Sequence, residues 1–300
     1  MKKLTILDGG MGRELKRIGA PFSQPLWSAQ ALIEAPYYVT QAHQGFIDAG
    51  ADMIIANSYA CVPFHLGETL YQQQGSALAE QAAIIAKDVA KAAKKNVLVA
   101  GSLPPAFGSY RPDLFESKRA FDILNTLFNA QDKHVDLWFA ETISSIEEAQ
   151  VMANVLKGST KPCHYAFTLS DQVGQSAQLR SGELVTTAIE AILQQNIAGI
   201  FFNCSIPEVI EQAIYDTNKV LAEHNKQVSI GAFANSFTPI KAGHKANDAV
   251  QDSRELSPEA YLEFAKKWHN LGANIIGGCC GITPSHIQAL VQWRDSIEGS

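Results

Sequence analysis

The sequence has no long hydrophobic run and no cluster of basic residues. No apolar stretch approaches the roughly 20 residues that span a bilayer, so we expect no transmembrane helix. A formal net charge of -6 offers no basic surface to a phosphate backbone, which excludes nucleic acid as an expected partner. The apolar start is interrupted at Asp8, too early for a signal-peptide core, and we expect a cytoplasmic protein.

Cysteine is also scarce. Five cysteines are an odd number for a disulfide framework, and a reducing compartment would keep them as thiols. A dinucleotide-binding turn is missing, because Gly9 to Gly12 does not have the GxGxxG spacing. The chain contains no low-complexity segment and no linker rich in Ser or Pro, so we interpret residues 1–300 as a single domain.

Apolar runs typical of strands alternate with longer amphipathic patterns along the whole chain. Eight such units predict a parallel sheet with right-handed crossovers, and eight is the number that closes into a (β/α)8 TIM-type barrel. The competing fold is an open doubly wound sheet, which would normally carry the missing glycine-rich turn. The predicted strands are 4–8, 52–56, 97–102, 136–140, 163–168, 198–203, 228–233 and 273–277, and the predicted helices are 36–49, 73–94, 117–131, 145–157, 183–195, 206–224, 257–271 and 283–295.

Three cysteines follow predicted strands. Cys204 comes after Asn203 at the end of the sixth strand, and Cys279 and Cys280 lie between glycines after the eighth. The carboxyl ends of barrel strands share one face, so these thiols are predicted to lie close together. Three thiolates with one vacant position are typical of a catalytic zinc, since a structural zinc site has four protein ligands. The fourth ligand would be the substrate.

Two carboxylates also end apolar runs. Asp8 is the last residue of the first predicted strand and Glu141 follows the fourth, which places both at the mouth of the barrel as candidates to hold an ammonium group. The longest irregular stretches, 103–116, 170–182 and 234–256, follow strands on this same face. The remaining chemistry-bearing residues are interpreted as structural: Cys61 and Cys163 as small core residues, and His43 and His286 as helical residues that are not metal ligands.

Taken together, these motifs resemble the homocysteine S-methyltransferase family, whose zinc-dependent barrels include betaine- and S-methylmethionine-dependent members. The resemblance covers nearly the whole chain, and its Leu-Trp-Ser-Ala segment is similar to the branch that uses sulfonium donors. The matching segments are Leu7 to Met11, Leu26 to Ala29, Ala49 to Asp52, Ser58-Tyr59, Glu141-Thr142, Asn203-Cys204 and Gly277 to Gly281.

The resemblance implies a mechanism and a set of roles. Zn2+ held by the three cysteines would deprotonate the thiol of homocysteine, which would then attack the methyl group of S-methylmethionine or S-adenosylmethionine and give methionine. It implies that Asp8 and Glu141 orient the ammonium group and that backbone amides around Gly9 and Gly10 approach the carboxylate. The expected contacts of the sulfonium donor are Tyr59, Phe107 and Tyr110.

Two departures from the family pattern concern the donor. Residues 101–108 read Gly-Ser-Leu-Pro-Pro-Ala-Phe-Gly where a Gly-Ser-Val-Gly-Pro-Tyr-Gly-like segment is usual, and Ala56 replaces a common threonine. Betaine as donor or selenohomocysteine as acceptor therefore stays open. A zinc- or redox-responsive binding barrel without turnover is the alternative from another class. A metal-dependent hydrolase or lyase is disfavoured, because it would use oxygen or histidine ligands. The oligomeric state is not predicted.

Overall fold

The computed structural model describes residues 3–240 and 252–299 of the chain. In that part, eight parallel strands form one sheet in the order β1-β8-β7-β6-β5-β4-β3-β2. The strands are β1 Thr5–Ile6, β2 Met53–Ile55, β3 Leu98–Leu103, β4 Leu137–Ile143, β5 Cys163–Phe167, β6 Gly199–Asn203, β7 Ser229–Phe233 and β8 Ile275–Ile276.

Helices connect the strands and surround the sheet. They are α1 Met11–Arg17, α2 Ala29–Glu34, α3 Pro36–Asp48, α4 Pro63–Leu66, α5 Glu68–Ala92, α6 Ser117–Gln131, α7 Ile146–Leu156, α8 Val185–Ile192, α9 Ile210–Glu223, α10 Pro258–Asn270 and α11 Pro284–Glu298. Short 3-10 turns cover Pro112–Leu114, Asp132–His134 and Pro207–Val209. Within residues 3–240 and 252–299, no helix has both the length and the apolar character needed to cross a membrane.

The sheet closes between its first and second strands. Leu7 forms a parallel bridge with Met53, and the backbone N–H of Asp8 donates to the carbonyl of Met53 at 3.0 Å. At the other side of this seam, the N–H of Asp52 donates to the carbonyl of Ile6 at 2.7 Å. These bonds complete the ring, so the predicted (β/α)8 TIM-type barrel is confirmed.

The interior of the barrel is an apolar cluster to which every strand or its flanking residue contributes. Its centre is aromatic: the ring centroid of Phe139 lies 4.8 Å from that of Phe201 and 5.7 Å from that of Phe233. Gly231 makes room for this packing, because a Cβ there would overlap the ring of Phe201. A second and larger core lies between the strands and the helices. The aromatic interior forms a solid floor below the carboxyl ends of the strands.

The structure corrects several predicted boundaries. β4 extends to Ile143, so Glu141 and Thr142 lie inside the strand and not after it. The register between β4 and β5 shifts at these two residues. β1 and β8 are shorter than predicted, with two residues each. α1, α2 and α4 were not predicted, and the predicted helix at 206–224 begins with a 3-10 turn. Part of the predicted irregular stretch 234–256 lies outside the described residues.

We predict that Phe201→Ala lowers the free energy of unfolding by about 3–5 kcal/mol, because it leaves a cavity among rings that cannot collapse. Urea denaturation followed by circular dichroism measures the change. Val173→Ala is the matched control, since Val173 is 75% exposed and its truncation should change stability by less than about 0.5 kcal/mol. Equal effects of the two substitutions would contradict the assigned packing.

Candidate active site

A cavity opens at the carboxyl ends of the strands. It is lined by the turn after β1, by residues that follow β2, by β4, and by the turns after β6 and β8. The cavity brings together Asp8, Gly9, Gly10, Glu141, the three strand-end cysteines, and aromatic residues from the loops. Residues far apart in sequence therefore meet at this face because parallel strands all end there.

The cysteines reach the cavity from two strands that flank β7. The N–H of Cys204 donates to the carbonyl of Phe233 at 3.3 Å, and that of Cys279 donates to the carbonyl of Ala234 at 2.8 Å. Both turns thus bend over the end of β7. The Cα atoms of Cys204 and Cys279 are 5.7 Å apart and their sulfur atoms are joined in a disulfide. Cys280 is free and lines the same cavity.

This disulfide differs from the free thiols expected from the sequence. A Cα separation of 5.7 Å lies within the range for a disulfide, and the same proximity would let the two sulfurs, once reduced, bind one ion. In the bonded state, no group of three or more His, Cys, Asp or Glu residues within 3–240 and 252–299 is arranged to hold a metal. Burial raises the pKa of the Cys280 thiol to about 11, and the charge of Arg13 opposes that shift.

Glycines permit the close approach of the first and last turns. A Cβ on Gly10 would overlap the carbonyl oxygen of Cys279, and a Cβ on Gly9 would overlap that of Ile282. The N–H of Gly10 donates to the carbonyl of Ile282 at 2.9 Å, which fixes the two turns together. Backbone groups of the turn after β1 therefore lie against the cysteine-bearing turn.

Two buried carboxylates face the cavity. Asp8 is 3% exposed and its Oδ2 accepts from the N–H of Ile55 at 2.9 Å. Glu141 is 7% exposed and accepts a hydrogen bond from the hydroxyl of Ser102. Burial raises the pKa of Glu141 to about 7, and burial together with the charge of Glu141 raises the pKa of Asp8 above its usual value. The pair is suited to a cation, which would favour the ionised form of both groups.

Aromatic side chains form one wall of the cavity. Tyr59 and Tyr110 line it as predicted, and the hydroxyls of Tyr59 and Ser109 lie 2.6 Å apart. Phe107 is not among the lining residues. Its ring packs 6.1 Å from that of Phe115, and the guanidinium of Arg119 lies 5.9 Å from its centroid. The structure thus places Phe107 in the packing of the loop after β3 and not at the cavity.

The sequence interpretation gave no role to several lining residues. Among these are Trp27 and His65. Ser102, which does not line the cavity, donates a hydrogen bond to Glu141 and was also given no role. Trp27 belongs to the segment that matches the family motif, and this was a signal that could have assigned it to the site. The residues interpreted as structural fit that role: Cys61 and Cys163 are buried, and His286 caps α11 through Thr283.

Unusual backbone conformations are concentrated here. Five non-glycine residues in the described part of the chain have positive φ, and Trp27, Tyr110 and Cys204 among them line the cavity. A fourth, Thr142, follows Glu141 directly. Residues in the left-handed region are uncommon, and they cluster at functional sites because only a tightly packed surrounding structure can hold them there.

Comparison with known proteins agrees with this geometry. The sequence profile of a family described as Homocysteine S-methyltransferase matches residues 5–293. The chain belongs to the homocysteine S-methyltransferase family. Homocysteine S-methyltransferase 1 of Brassica oleracea var. italica is 30% identical over 312 residues, which cover 95% of this chain and 92% of that protein.

Two further relatives extend the comparison. The metallated form of the homocysteine methyltransferase MmuM from Escherichia coli has a TM-score of 0.78 and 25% identity, with 97% of this chain and 96% of that one covered. A selenocysteine methyltransferase of Astragalus bisulcatus is 26% identical over 325 residues, covering 96% of this chain and 91% of that protein. The resemblance seen in the motifs is therefore confirmed across the barrel.

We predict that the carboxyl group of Glu141 titrates with a midpoint about 7 in the ligand-free protein. Because the Ser102 hydroxyl stabilises the ionised form, Ser102→Ala should move this midpoint upward. A 13C NMR titration of the labelled side chain measures both values. A midpoint near that of an exposed glutamate, about 4.3, would contradict the burial described here.

Proposed function

We propose that this chain is a zinc-dependent enzyme that transfers a methyl group from a sulfonium donor to the thiol of homocysteine and releases methionine. The observation that carries the proposal is the meeting of three cysteines and two buried carboxylates at one cavity. Family membership supports homocysteine as the methyl acceptor. We further propose that residues 1–300 form one homocysteine-binding domain and that the partners are small molecules.

The cysteines fit a zinc ion by the chemistry of their donor set. Cys204, Cys279 and Cys280 would hold Zn2+ as thiolates after reduction of the Cys204–Cys279 bond, leaving one position for the substrate. When bound, the zinc would lower the pKa of the homocysteine thiol, so that its sulfur is a thiolate at neutral pH. The Escherichia coli relative has a metallated form, which supports the proposal that this chain also binds a metal.

The carboxylates would orient the amino-acid end of homocysteine. Asp8 and Glu141 face the cavity from β1 and β4, and an ammonium group between them would stabilise both as carboxylates. The turn at Gly9 and Gly10 lies against the cysteine-bearing turn, where its backbone can approach the substrate carboxylate. Holding both ends of a short substrate aims its sulfur at the methyl donor, and such orientation lowers the barrier.

The aromatic wall would receive the methyl donor. Tyr59 and Tyr110 present rings to the cavity, as does Trp27, and a sulfonium over such a ring gains about 0.5–2 kcal/mol as a cation-π contact. This favours S-methylmethionine or S-adenosylmethionine over a neutral donor. The quaternary ammonium group of betaine is cationic as well, so the same wall would also receive betaine.

Two other candidate functions use the same site. The selenocysteine methyltransferase relative favours testing selenohomocysteine as a methyl acceptor. The disulfide between two proposed ligands favours testing a zinc- or redox-responsive barrel without turnover. Stoichiometric release of zinc on oxidation, with no methylated product from any donor, would support that second candidate. A cytoplasmic location stays a prediction.

We predict that Cys279→Ser abolishes zinc retention and methyl transfer together, because a hydroxyl is a poor zinc ligand at neutral pH. The experiment loads the reduced protein with zinc, measures the metal by elemental analysis, and detects methionine by mass spectrometry with each donor. Cys163→Ser is the matched control, since Cys163 is buried in β5 away from the cavity. A Cys279→Ser protein that keeps zinc and activity would remove the mechanism.

We predict that Glu141→Gln raises the KM for homocysteine by about 10–100-fold, the cost of one hydrogen bond to a charged group. In the wild type, kcat/KM should fall as pH decreases through about 7, because protonation of Glu141 removes the charge that binds the ammonium group. Steady-state kinetics over about three pH units centred on about pH 7 test both points. A variant with the wild-type KM and pH profile would exclude the assigned role.

A further inference from the structure

Two buried residues connect the carboxylate side of the cavity to its cysteine side. Asn203 is the last residue of β6 and precedes Cys204, and Thr142 follows Glu141 within β4. Both side chains are fully buried, with 0% exposure. Neither is needed by the proposed chemistry, yet each is the direct neighbour of a residue that is.

The two residues exchange hydrogen bonds in both directions. The backbone N–H of Thr142 donates to Oδ1 of Asn203 at 3.0 Å, and Nδ2 of Asn203 donates to Oγ1 of Thr142 at 2.9 Å. β4 and β6 are not neighbours in the sheet, because β5 lies between them. The side-chain amide of Asn203 therefore reaches across the end of β5 and connects β4 with β6, two strands that are not paired with each other.

The hydrogen bonds between Asn203 and Thr142 lie where the backbone is strained. Thr142 has φ 61° and Cys204 has φ 48°, so both lie in the left-handed region. For a β-branched residue such as threonine this conformation is an outlier, and it persists only when neighbouring contacts hold it. The bond from the Thr142 N–H to Asn203 supplies such a contact on the peptide that joins Glu141 to Thr142. The backbone conformation at Thr142 thereby depends on the position of Asn203 at the end of β6.

We propose that Asn203 and Thr142 form a positioning pair that couples metal retention at Cys204 to recognition of the substrate ammonium by Glu141. This inference rests on the proposed function, because it assigns zinc to Cys204 and the ammonium group to Glu141. A merely structural pair would affect stability alone. If the pair couples the two groups, a substitution beside Glu141 also changes zinc binding at Cys204, and a substitution beside Cys204 also changes recognition by Glu141.

Thr142→Val tests the coupling from the carboxylate side. Valine keeps the β-branched shape but removes Oγ1, the acceptor for Asn203. We expect the dissociation constant for zinc, measured by competition with a chromogenic chelator, to rise about tenfold, since a buried amide loses its partner. Thr142→Ser retains the hydroxyl and should stay within about twofold of the wild type.

Asn203→Ala tests the coupling from the cysteine side. Its readout is the ratio of kcat/KM for homocysteine to that for 4-mercaptobutyrate, the analogue without the amino group, measured at saturating zinc. We expect this ratio to fall about tenfold, because Glu141 is no longer held in place. In the double variant with Thr142→Val, the losses should not add, since the two single substitutions break the same interaction.

Thr217→Val is the matched control for stability. Its hydroxyl donates to the carbonyl of Ala213 at 2.7 Å within α9, and the residue is fully buried away from the cavity. We expect it to lower the unfolding temperature while zinc affinity and amino-group discrimination keep their wild-type values. The side chain of Thr142 also lies near Tyr59, so Asn203→Ala provides the arm of the experiment that leaves the Thr142 side chain unchanged.

The outcomes separate the inference from the function on which it rests. Wild-type protein that neither retains zinc nor methylates homocysteine would overturn both. With an active wild type, Thr142→Val and Asn203→Ala proteins that lose only stability, as Thr217→Val should, would overturn the coupling and leave the function in place. Weaker zinc binding in Thr142→Val, with rescue by Thr142→Ser, and lost discrimination in Asn203→Ala would support the coupling.

Discussion

Closure of the barrel at Asp8 is the constraint on which the site depends. The backbone N–H of Asp8 bonds to β2 across the seam, and its carboxylate accepts from the N–H of Ile55 two residues further along that strand. The same residue therefore joins the ends of the sheet and faces the cavity. On its other side β1 pairs directly with β8, and this pairing places the turn at Gly10 against Cys279. Without this closure, Asp8 after β1 and the residues that follow β2, such as Tyr59, would lie at opposite edges of an open sheet.

The site combines a rigid floor with strained turns. The rings of Phe139, Phe201 and Phe233 fill the barrel below it, and such packing resists movement of the strand ends. Above this floor, the left-handed conformations of Thr142 and Cys204 aim neighbouring side chains into the cavity. Strain of this kind is tolerable only where the rest of the fold is stable enough to offset it. The aromatic interior thus contributes to the site without contacting any ligand.

Much of this arrangement could be predicted from the sequence, since strand ends in a barrel converge whatever the loops do. That rule alone brought Asp8, Glu141 and the cysteines together. The sequence could not show that Phe107 packs on Phe115. A loop has no periodic pattern of apolar residues, so its sequence does not indicate which way an aromatic side chain points. Trp27 was missed although the match of its segment to the family motif was a signal for it. The placement of Glu141 inside β4 depends on a register shift with β5, which is a property of the paired strands and not of either one alone.

Charge balance explains why the ligand-free site looks as it does. Asp8 and Glu141 are buried near each other, and their raised pKa values mean that part of their negative charge is removed by protons. The Cys280 thiol, with a pKa of about 11, is protonated as well. Under the proposed function, zinc would replace the proton on the thiol and an ammonium group would replace the protons on the carboxylates. The same burial that suppresses charge in the free protein would then strengthen each of these interactions, because water is excluded from around them. The burial of these acidic groups thereby makes the site selective for cations.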